Sequence, residues 1–339
     1  MVALADIGSF TDAGNRYGDL NQDYVLVQKV FNKDEICDKE DLKQCYVATV
    51  LDGHGMLGEM VAEQAGHALV QDVCTRAKQN GCNLLMKPPD KLKGALASAF
   101  EKAHQASLAV YDDPPSCICY PVDSLTQARY TLYRPNGLPV YRPDASCSRV
   151  CGDRLLECGT TCTMAVVQGD RLCIANVGDS AAALVSLADG DVEAHFLTTD
   201  HNGRNKIEEE RITRNHGMMA RISEDRGYLS VFAGMWAGLE LSVTRALGHK
   251  HLEAYGVLCE PSVRSLTLQP EDTCLIIASD GVWDVMDARE AANRVMDVIS
   301  GGGTAEEAAR QLVHDTVMLA ECSPDGDADN TSAIVLVFE

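Results

Sequence analysis

Residues 162–200, CTMAVVQGDRLCIANVGDSAAALVSLADGDVEAHFLTTD, decide the fold class. Strand signals follow one another there in CTMAVVQG, RLCIANVG, AAALVSLA and EAHFLTTD, separated by QGD, GDS and ADGD turns. Such close succession is not a regular βα alternation, so a doubly wound parallel sheet is disfavoured. An α+β design fits better: two packed antiparallel sheets flanked by helices.

Working outward toward the N-terminus, the polar GNRYGDLNQ precedes DYVLVQKV, rich in β-branched residues. The acidic NKDEICDKEDLKQ reads as a hairpin loop before a second strand, CYVATVLDG. A helix is predicted from 58 to about 76, with Met60, Val61, Ala65, Ala68 and Leu69 at helical spacing. A second helix is predicted over 90–111, with Leu92, Leu96, Ala99, Phe100, Ala103 and Leu108 on one stripe. Residues 112–157 break the pattern, holding six of the eleven prolines and four cysteines. They read as a long surface loop or small excursion.

Toward the C-terminus, LTTDHNGRNKIEEERITRN predicts a turn and a short charged helix, and the glycine-punctuated 226–248 stretch a loop plus strand. Strands at SVRSLTL and TCLIIASD precede a helix over about 288–299. A further helix begins near Thr304, where Glu307 three residues later resembles a capping box. The chain closes on the strand TSAIVLVFE. One domain over 1–339 is expected, with the Pro/Cys-rich insertion at about 112–157.

Across 339 residues, 50 acidic against 29 basic side chains give a net charge of −21. That field repels phosphate backbones and anionic lipid, and no dense Lys/Arg run offsets it, so neither nucleic acid nor membrane is an expected partner. No run of about eighteen apolar residues predicts a membrane span. The N-terminal residues carry no secretory signal and no myristoylation glycine, so a cytoplasmic or nuclear location is expected. In such a compartment the fourteen cysteines are expected to be thiols rather than a disulfide framework. Cys117, Cys119, Cys147, Cys151, Cys158 and Cys162 invite a zinc reading, but no paired histidine accompanies them and free, oxidisable thiols fit better. Trp236 and Trp283 read as core residues.

Five aspartates share one setting, at or beside a strand end in a turn: Asp23 in NQDYV, Asp52 in VLDGHG, Asp179 in NVGDS, Asp280 in ASDGVWD and Asp329 in DADNTS. Any one alone reads first as turn chemistry. Their repetition points to a site for hard cations, since magnesium and manganese take oxygen ligands and keep several waters. Aspartate's short side chain holds its carboxylate close to a rigid strand, and Gly53 lets a backbone carbonyl approach an ion. Two such ions can bridge and activate a water for attack on phosphorus.

The chain resembles the type-2C (PPM) family of metal-dependent protein serine/threonine phosphatases. The resemblance runs in order through TDAGNRYGDLNQD, VLDGHG, ECGTTCTMAVV, IANVGDSAAAL, LTTDHN with EEERI, LELSVTRALG, GVLCEPSV, LIIASDGVWDVM and DADNTSAIVLV, leaving 112–157 outside it. It implies a β-sandwich with helices on both outer faces, and two magnesium or manganese ions with a third, weaker site. By motif, Asp52 bridges both ions with the Gly53 carbonyl beside it, Asp280 and Asp329 ligate one, and Asp23 acts through a water. Asp179 supplies the third site with Asp280, and His54 is the general acid. The family's phosphate-gripping arginine usually lies five residues before the strand-end aspartate. That place is Gly18 here, and Arg16 is the candidate.

Three departures stand out: Gln22 for a common glutamate, as in the family's plant-like NQD branch, Met56 for the second glycine of DGHGG, and His249 for an aspartate after RALG. Neutral Gln22 can orient water or lend a carbonyl. The resemblance implies a signalling hydrolase acting on phosphoproteins, and a monomer is expected. The departures keep a second reading open, a catalytically weak member that binds phosphoproteins as a regulatory module. No Cys-x5-Arg loop is present, which disfavours a cysteine-nucleophile phosphatase.

Overall fold

The computed structural model describes residues 2–30, 45–79, 84–123, 126–144, 152–222, 227–234 and 236–339. The acidic 32–44 stretch, Cys147, Cys151 and Met235 lie outside the described residues. In chain order, β1 (Leu4–Asp12), β2 (Asp23–Val30) and β3 (Cys45–Gly55) lead into α1 (Gly58–Gln79), α2 (Pro89–Ser107) and the single turn α3 (Ala109–Asp112). Four strands follow: β4 (Cys117–Asp123), β5 (Thr126–Tyr133), β6 (Val140–Pro143) and β7 (Arg154–Leu155). Next come β8 (Cys158–Thr160), β9 (Cys162–Gln168), β10 (Arg171–Val177), β11 (Ala181–Ala188), β12 (Asp191–Phe196) and α4 (Lys206–His216). Short strands β13 (Ala220–Ile222), β14 (Leu229–Val231), β15 (Glu240–Leu241) and β16 (Leu247–Gly248) precede β17 (Ser262–Thr267) and β18 (Asp272–Ala278). The chain ends with α5 (Asp280–Trp283), α6 (Ala288–Ser300), α7 (Ala305–Glu321) and β19 (Thr331–Phe338).

Two antiparallel sheets form the centre, one in the order β1-β19-β18-β11-β12 and the other β16-β8-β3-β9-β10-β17 with β2 paired to β3. Strand alternation explains their stacking. On β18, Leu275 and Ile277 face the layer between the sheets, meeting Val50, Ala165, Ile174 and Leu336. Cys274, Ile276 and Ala278 face outward, against Ala291, Val295, Ala308 and Leu312 of α6 and α7. On the second sheet Val47, Leu51 and Met164 face Leu69, Val73, Leu96 and Phe100 of α1 and α2. Four layers result, helices–sheet–sheet–helices, and the central strands are apolar on both faces because both are covered. Truncating Leu96 to alanine in such a core costs about 2–5 kcal/mol.

Local signals account for the helix limits. Thr304 accepts from the Glu307 backbone while the Glu307 carboxylate accepts from the Thr304 backbone, a complete capping box on α7. The helix predicted over 90–111 instead breaks at Leu108, where the Ser107 hydroxyl has bonded back to the His104 carbonyl at 2.7 Å. No helix among the described residues is long and apolar enough to cross a membrane.

The loop expected at 112–157 is instead a small antiparallel sheet, β4-β5-β6-β7. Its prolines hid it: Pro121 lies on β4, an edge strand, and Pro143 ends β6, positions where the missing N–H costs no ladder bond. Its buried face carries Tyr120, Tyr130 and Tyr141, which pack on Met56, Leu57, Val61 and Tyr111. Met56, where the type-2C pattern has glycine, is thus a core residue joining this sheet to the DGHG turn.

Candidate metal centre

The strand-end aspartates converge. Asp52 comes from β3, Asp179 from the β10–β11 turn, Asp280 from the start of α5 and Asp329 from the turn before β19. With Arg16, Gln22, Gly53 and His54 they line one cavity of about 730 Å³ at an edge of the sandwich. Asp23 stands behind them, buried at the start of β2. All nine residues singled out in the sequence are therefore at or beside one cleft.

Backbone ties hold the turns in place. Thr161 donates its N–H to the Asp52 carbonyl at 2.9 Å, and the Asp52 N–H returns to the Thr161 hydroxyl at 3.0 Å. The Thr160 hydroxyl also reaches the Asp52 carbonyl, at 3.0 Å. That is what the GTT motif does. The Asn330 side chain accepts from the Gln22 N–H at 2.8 Å and donates to the carbonyls of Ala13 and Leu20, pinning the N-terminal turn beside Asp329. Gly53 sits between two backbones: a Cβ there would lie 2.4 Å from the Gly58 carbonyl oxygen and 2.5 Å from that of Gln22. Only glycine fits.

Electrostatics make the cleft costly without cations. Six aspartates line it, Asp52, Asp179, Asp200, Asp280, Asp284 and Asp329, against two arginines, Arg16 and Arg204. Burial first, then Asp280 and Asp329, push Asp23 up to about 7 despite its hydrogen bonds from Ser279 and Ser332. Burial and the Asp329 charge push Asp280 up to about 6, and burial with neighbouring carboxylates holds Asp52 and Asp179 well above the usual range. Asp23 accepts from the Ser279 hydroxyl through Oδ2, while its buried Oδ1 has no hydrogen-bond partner. An unpartnered buried carboxylate oxygen among like charges is what a cation would satisfy. No three Asp, Glu, His or Cys side chains among the described residues are close enough to hold one ion directly. Magnesium, which leans on one or two carboxylates and keeps several waters, suits that spacing.

The other candidates have definite surroundings. Arg16 forms an ion pair with Asp329. The Gln22 amide donates to the Gly55 carbonyl at 2.8 Å and to Glu59 at 2.9 Å, which leaves its carbonyl oxygen for water. His54 Nε2 lies 2.7 Å from His249 Nε2, and burial with that second imidazole brings His54 down to about 3. Glu157 is held below the usual carboxylate range: burial would raise it, but hydrogen bonds from His249 and His251 outweigh burial.

Several lining residues escaped the sequence reading. Asp284 lies one helical turn after Asp280 in ASDGVWD, a spacing that was there to be read. Asp200, in LTTD, and Tyr120, on the inserted sheet, carried no such signal. Trp283, expected in the core, is only half buried. It lines the cleft, meets Phe196 edge-on at 5.0 Å, and donates to the Ala181 and Ala278 carbonyls. Trp236 is buried as expected. Of the cysteines considered for zinc, Cys158 and Cys162 are buried in β8 and β9, while Cys117 and Cys119 lie on β4, Cys119 exposed.

Comparison with known proteins bears on the family and the fold. The chain is 35% identical over 152 residues to probable protein phosphatase 2C 61 of Arabidopsis thaliana, covering 44% of this chain and 47% of that one. The chain spans about half the length of several curated plant relatives it matches. Its fold superimposes over the whole chain on the crystal structure of a serine-threonine phosphatase 2C from Toxoplasma gondii, covering 99% of that chain with a TM-score of 0.70 at 19% identity. It also covers 99% of the catalytic domain of the serine threonine protein phosphatase PstP, solved with two manganese ions, with a TM-score of 0.53 at 17% identity over 100% of this chain. A family model described as protein phosphatase 2C matches residues 144–321. The GTT strand start, the GDS turn and the Asp280 helix start fall inside that span, and the chain belongs to the protein phosphatase 2C family.

Proposed function

We propose that this protein hydrolyses phosphoserine and phosphothreonine in proteins. The observation that carries the reading is the convergence of strand-end carboxylates from distant stretches on one cleft, with too few cationic side chains to balance them. Two divalent cations, magnesium or manganese, would supply the Lewis acidity that activates water there. Asp52 and the Gly53 carbonyl would serve both, Asp280 and Asp329 one, and Asp23 would act through an intervening water, with further waters completing the contacts that these carboxylates stand too far apart to make together. Asp179 with Asp280 would form a third, weaker site.

The chain's own groups divide the remaining work. Arg16 holds the phosphate, since its planar guanidinium can exchange Asp329 for phosphate oxygens with the same fork of donors. Gln22 orients water through its free carbonyl oxygen. His54, on the cleft wall, would supply the proton that the departing serine or threonine oxygen needs: burial beside a second imidazole keeps it neutral in the free cleft, and a bound phosphate's negative charge favours its protonated form.

Turnover of a phosphothreonine peptide with and without manganese tests the reading, with Asp52→Asn and Asp280→Asn as controls. Each variant is expected to lose about 100-fold or more in kcat/KM, on the scale of other ion-site lesions. Activity that needs no metal, or that survives both substitutions, would sink it.

A further inference from the structure

The imidazole that replaces the usual aspartate after RALG is not a surface change. His249 is 2% exposed, and its ring meets that of His54 edge to edge, with centroids 4.8 Å apart and planes 29° from parallel. The two Nε2 atoms approach to 2.7 Å. On its other side His249 Nδ1 faces Glu157 Oε1 at 3.3 Å, and the second oxygen of that buried carboxylate takes His251 Nδ1 at 2.8 Å. His251 is clamped in turn, stacked on Trp236 at 4.3 Å and edge-on to Tyr111 at 5.7 Å.

The backbone is shaped to hold this chain of groups. His249 has φ +54°, a left-handed conformation uncommon for a residue with a Cβ, and its N–H is fixed to the Cys158 carbonyl at 2.8 Å. The ring fills the space over Gly159, where a Cβ would come within 2.4 Å of Nε2. The glycine of ECGTT and the histidine of RALGH are a matched pair.

Hydrogen-bond chemistry then orders the protons. An ionised carboxylate only accepts, so His249 Nδ1 carries a hydrogen. In a neutral His249 the Nε2 is therefore bare, and the hydrogen between the two rings belongs to His54 Nε2. We propose that Glu157 and His249 are positioning residues that set the rotamer and the hydrogen-bearing nitrogen of His54. The pair keeps that hydrogen on the cleft-lining ring, from which the oxygen of a departing alkoxide takes it when His54 also carries the hydrogen that bonds the Asp52 backbone, so that the ring is left neutral. The inference rests on the phosphatase reading and on His54 as its acid.

The test uses the full chain, with His249→Leu and Glu157→Gln. The second leaves the left-handed backbone at 249 untouched. Both are expected to lower kcat on a phosphothreonine peptide by about 10- to 100-fold, part of the 10²–10⁴ that a positioned acid contributes. KM and manganese affinity should stay within about threefold, a split that a merely structural lesion would not produce. His249→Gln, whose amide can both accept and donate, should lose much less kcat than His249→Leu. Imidazole ¹⁵N spectra of the magnesium-loaded protein should show the His54 hydrogen on Nε2 in the parent and an averaged or reversed tautomer in His249→Leu. Unchanged spectra with unchanged kcat, or a higher kcat, overturn the proposal. An active Asp52→Asn variant would instead overturn the phosphatase reading, and the spectra still decide the tautomer.

Discussion

Asp23 and Asp52 stand directly opposite one another, paired in register across the antiparallel strands β2 and β3. Cross-strand partners place their Cβ atoms about 4.5–5.5 Å apart on one face of the sheet, and like charges there are destabilising. A sheet that puts the buried Asp23 and the half-buried Asp52 side by side therefore gains from protons or cations.

The sign of the pH dependence follows. Asp23 and Asp280 have folded-state values raised to about 7 and about 6 from 3.8. A raised carboxyl contributes stability that is complete below its unfolded value and lost as pH rises through its folded one. The metal-free protein should lose thermal stability between about pH 4 and pH 7. Magnesium or manganese should raise the melting temperature far more at pH 7.5 than at pH 5, because protons and cations compete for the same oxygens. Melting curves in chelator and in excess metal check this. A metal-induced shift as large at pH 5 as at pH 7.5 would count against the cluster as the binding site.

Gly53 offers a steric test. Gly53→Ala forces a methyl against two backbone carbonyls that cannot rotate away. The expected result is a destabilisation of about 1–3 kcal/mol, with weaker manganese binding by calorimetry. Parent-like stability and affinity would show that the β3–α1 turn relaxes freely.

Gln22 and Glu59 form a coupled pair, since the glutamine amide donates to that carboxylate at 2.9 Å. Gln22→Glu replaces the donor with a like charge and should cost about 1–3 kcal/mol in the metal-free protein. Adding Glu59→Gln should recover most of it. Denaturant unfolding of the four proteins gives the coupling energy, and simple additivity would mean that the two residues act independently.

Away from the metal centre, Glu208 of α4 is 1% exposed and bridges Arg211 at 2.7 Å, Arg245 at 2.6 Å and the Thr244 hydroxyl at 2.8 Å. Glu208→Ala leaves two arginines facing a buried gap and should destabilise by about 3–5 kcal/mol. Its metal affinity should stay near the parent's. A stable variant with impaired metal binding would instead tie this network to the cleft.

The inserted sheet gives a last expectation. Excising residues 116–155 uncovers Met56, Leu57, Val61 and Tyr111, which its buried tyrosines cover. The shortened protein should unfold at lower denaturant concentration and bind metal less tightly, because Met56 adjoins the DGHG turn. A shortened chain as stable as the parent would show that the sheet is a detachable appendage.

Much of this molecule was readable in its residues. Short-range chemistry leaves local marks: the apolar run around Ile276, the helical stripe through Leu96 and Phe100, the Thr304 capping box and the strand-end aspartates all act within a few residues of themselves. The inserted sheet was hidden because the alternation of β5, Ala128 and Tyr130 in TQARYTLY, is flanked by prolines in β4, in β6 and between the strands, which mimic a loop. Trp283 was misjudged because burial depends on what arrives from elsewhere in the chain.

The sequence by itself determined the sandwich, its flanking helices and five of the aspartates in or beside the cleft, since strand period, helix period and turn chemistry are encoded locally. Only the tertiary structure decided which groups meet: Asp23 against Asp52, Gln22 on Glu59, and His249 between His54 and Glu157. Those pairings join residues up to almost two hundred positions apart. Their burial, protonation and hydrogen-bond direction are set by neighbours that no local pattern names.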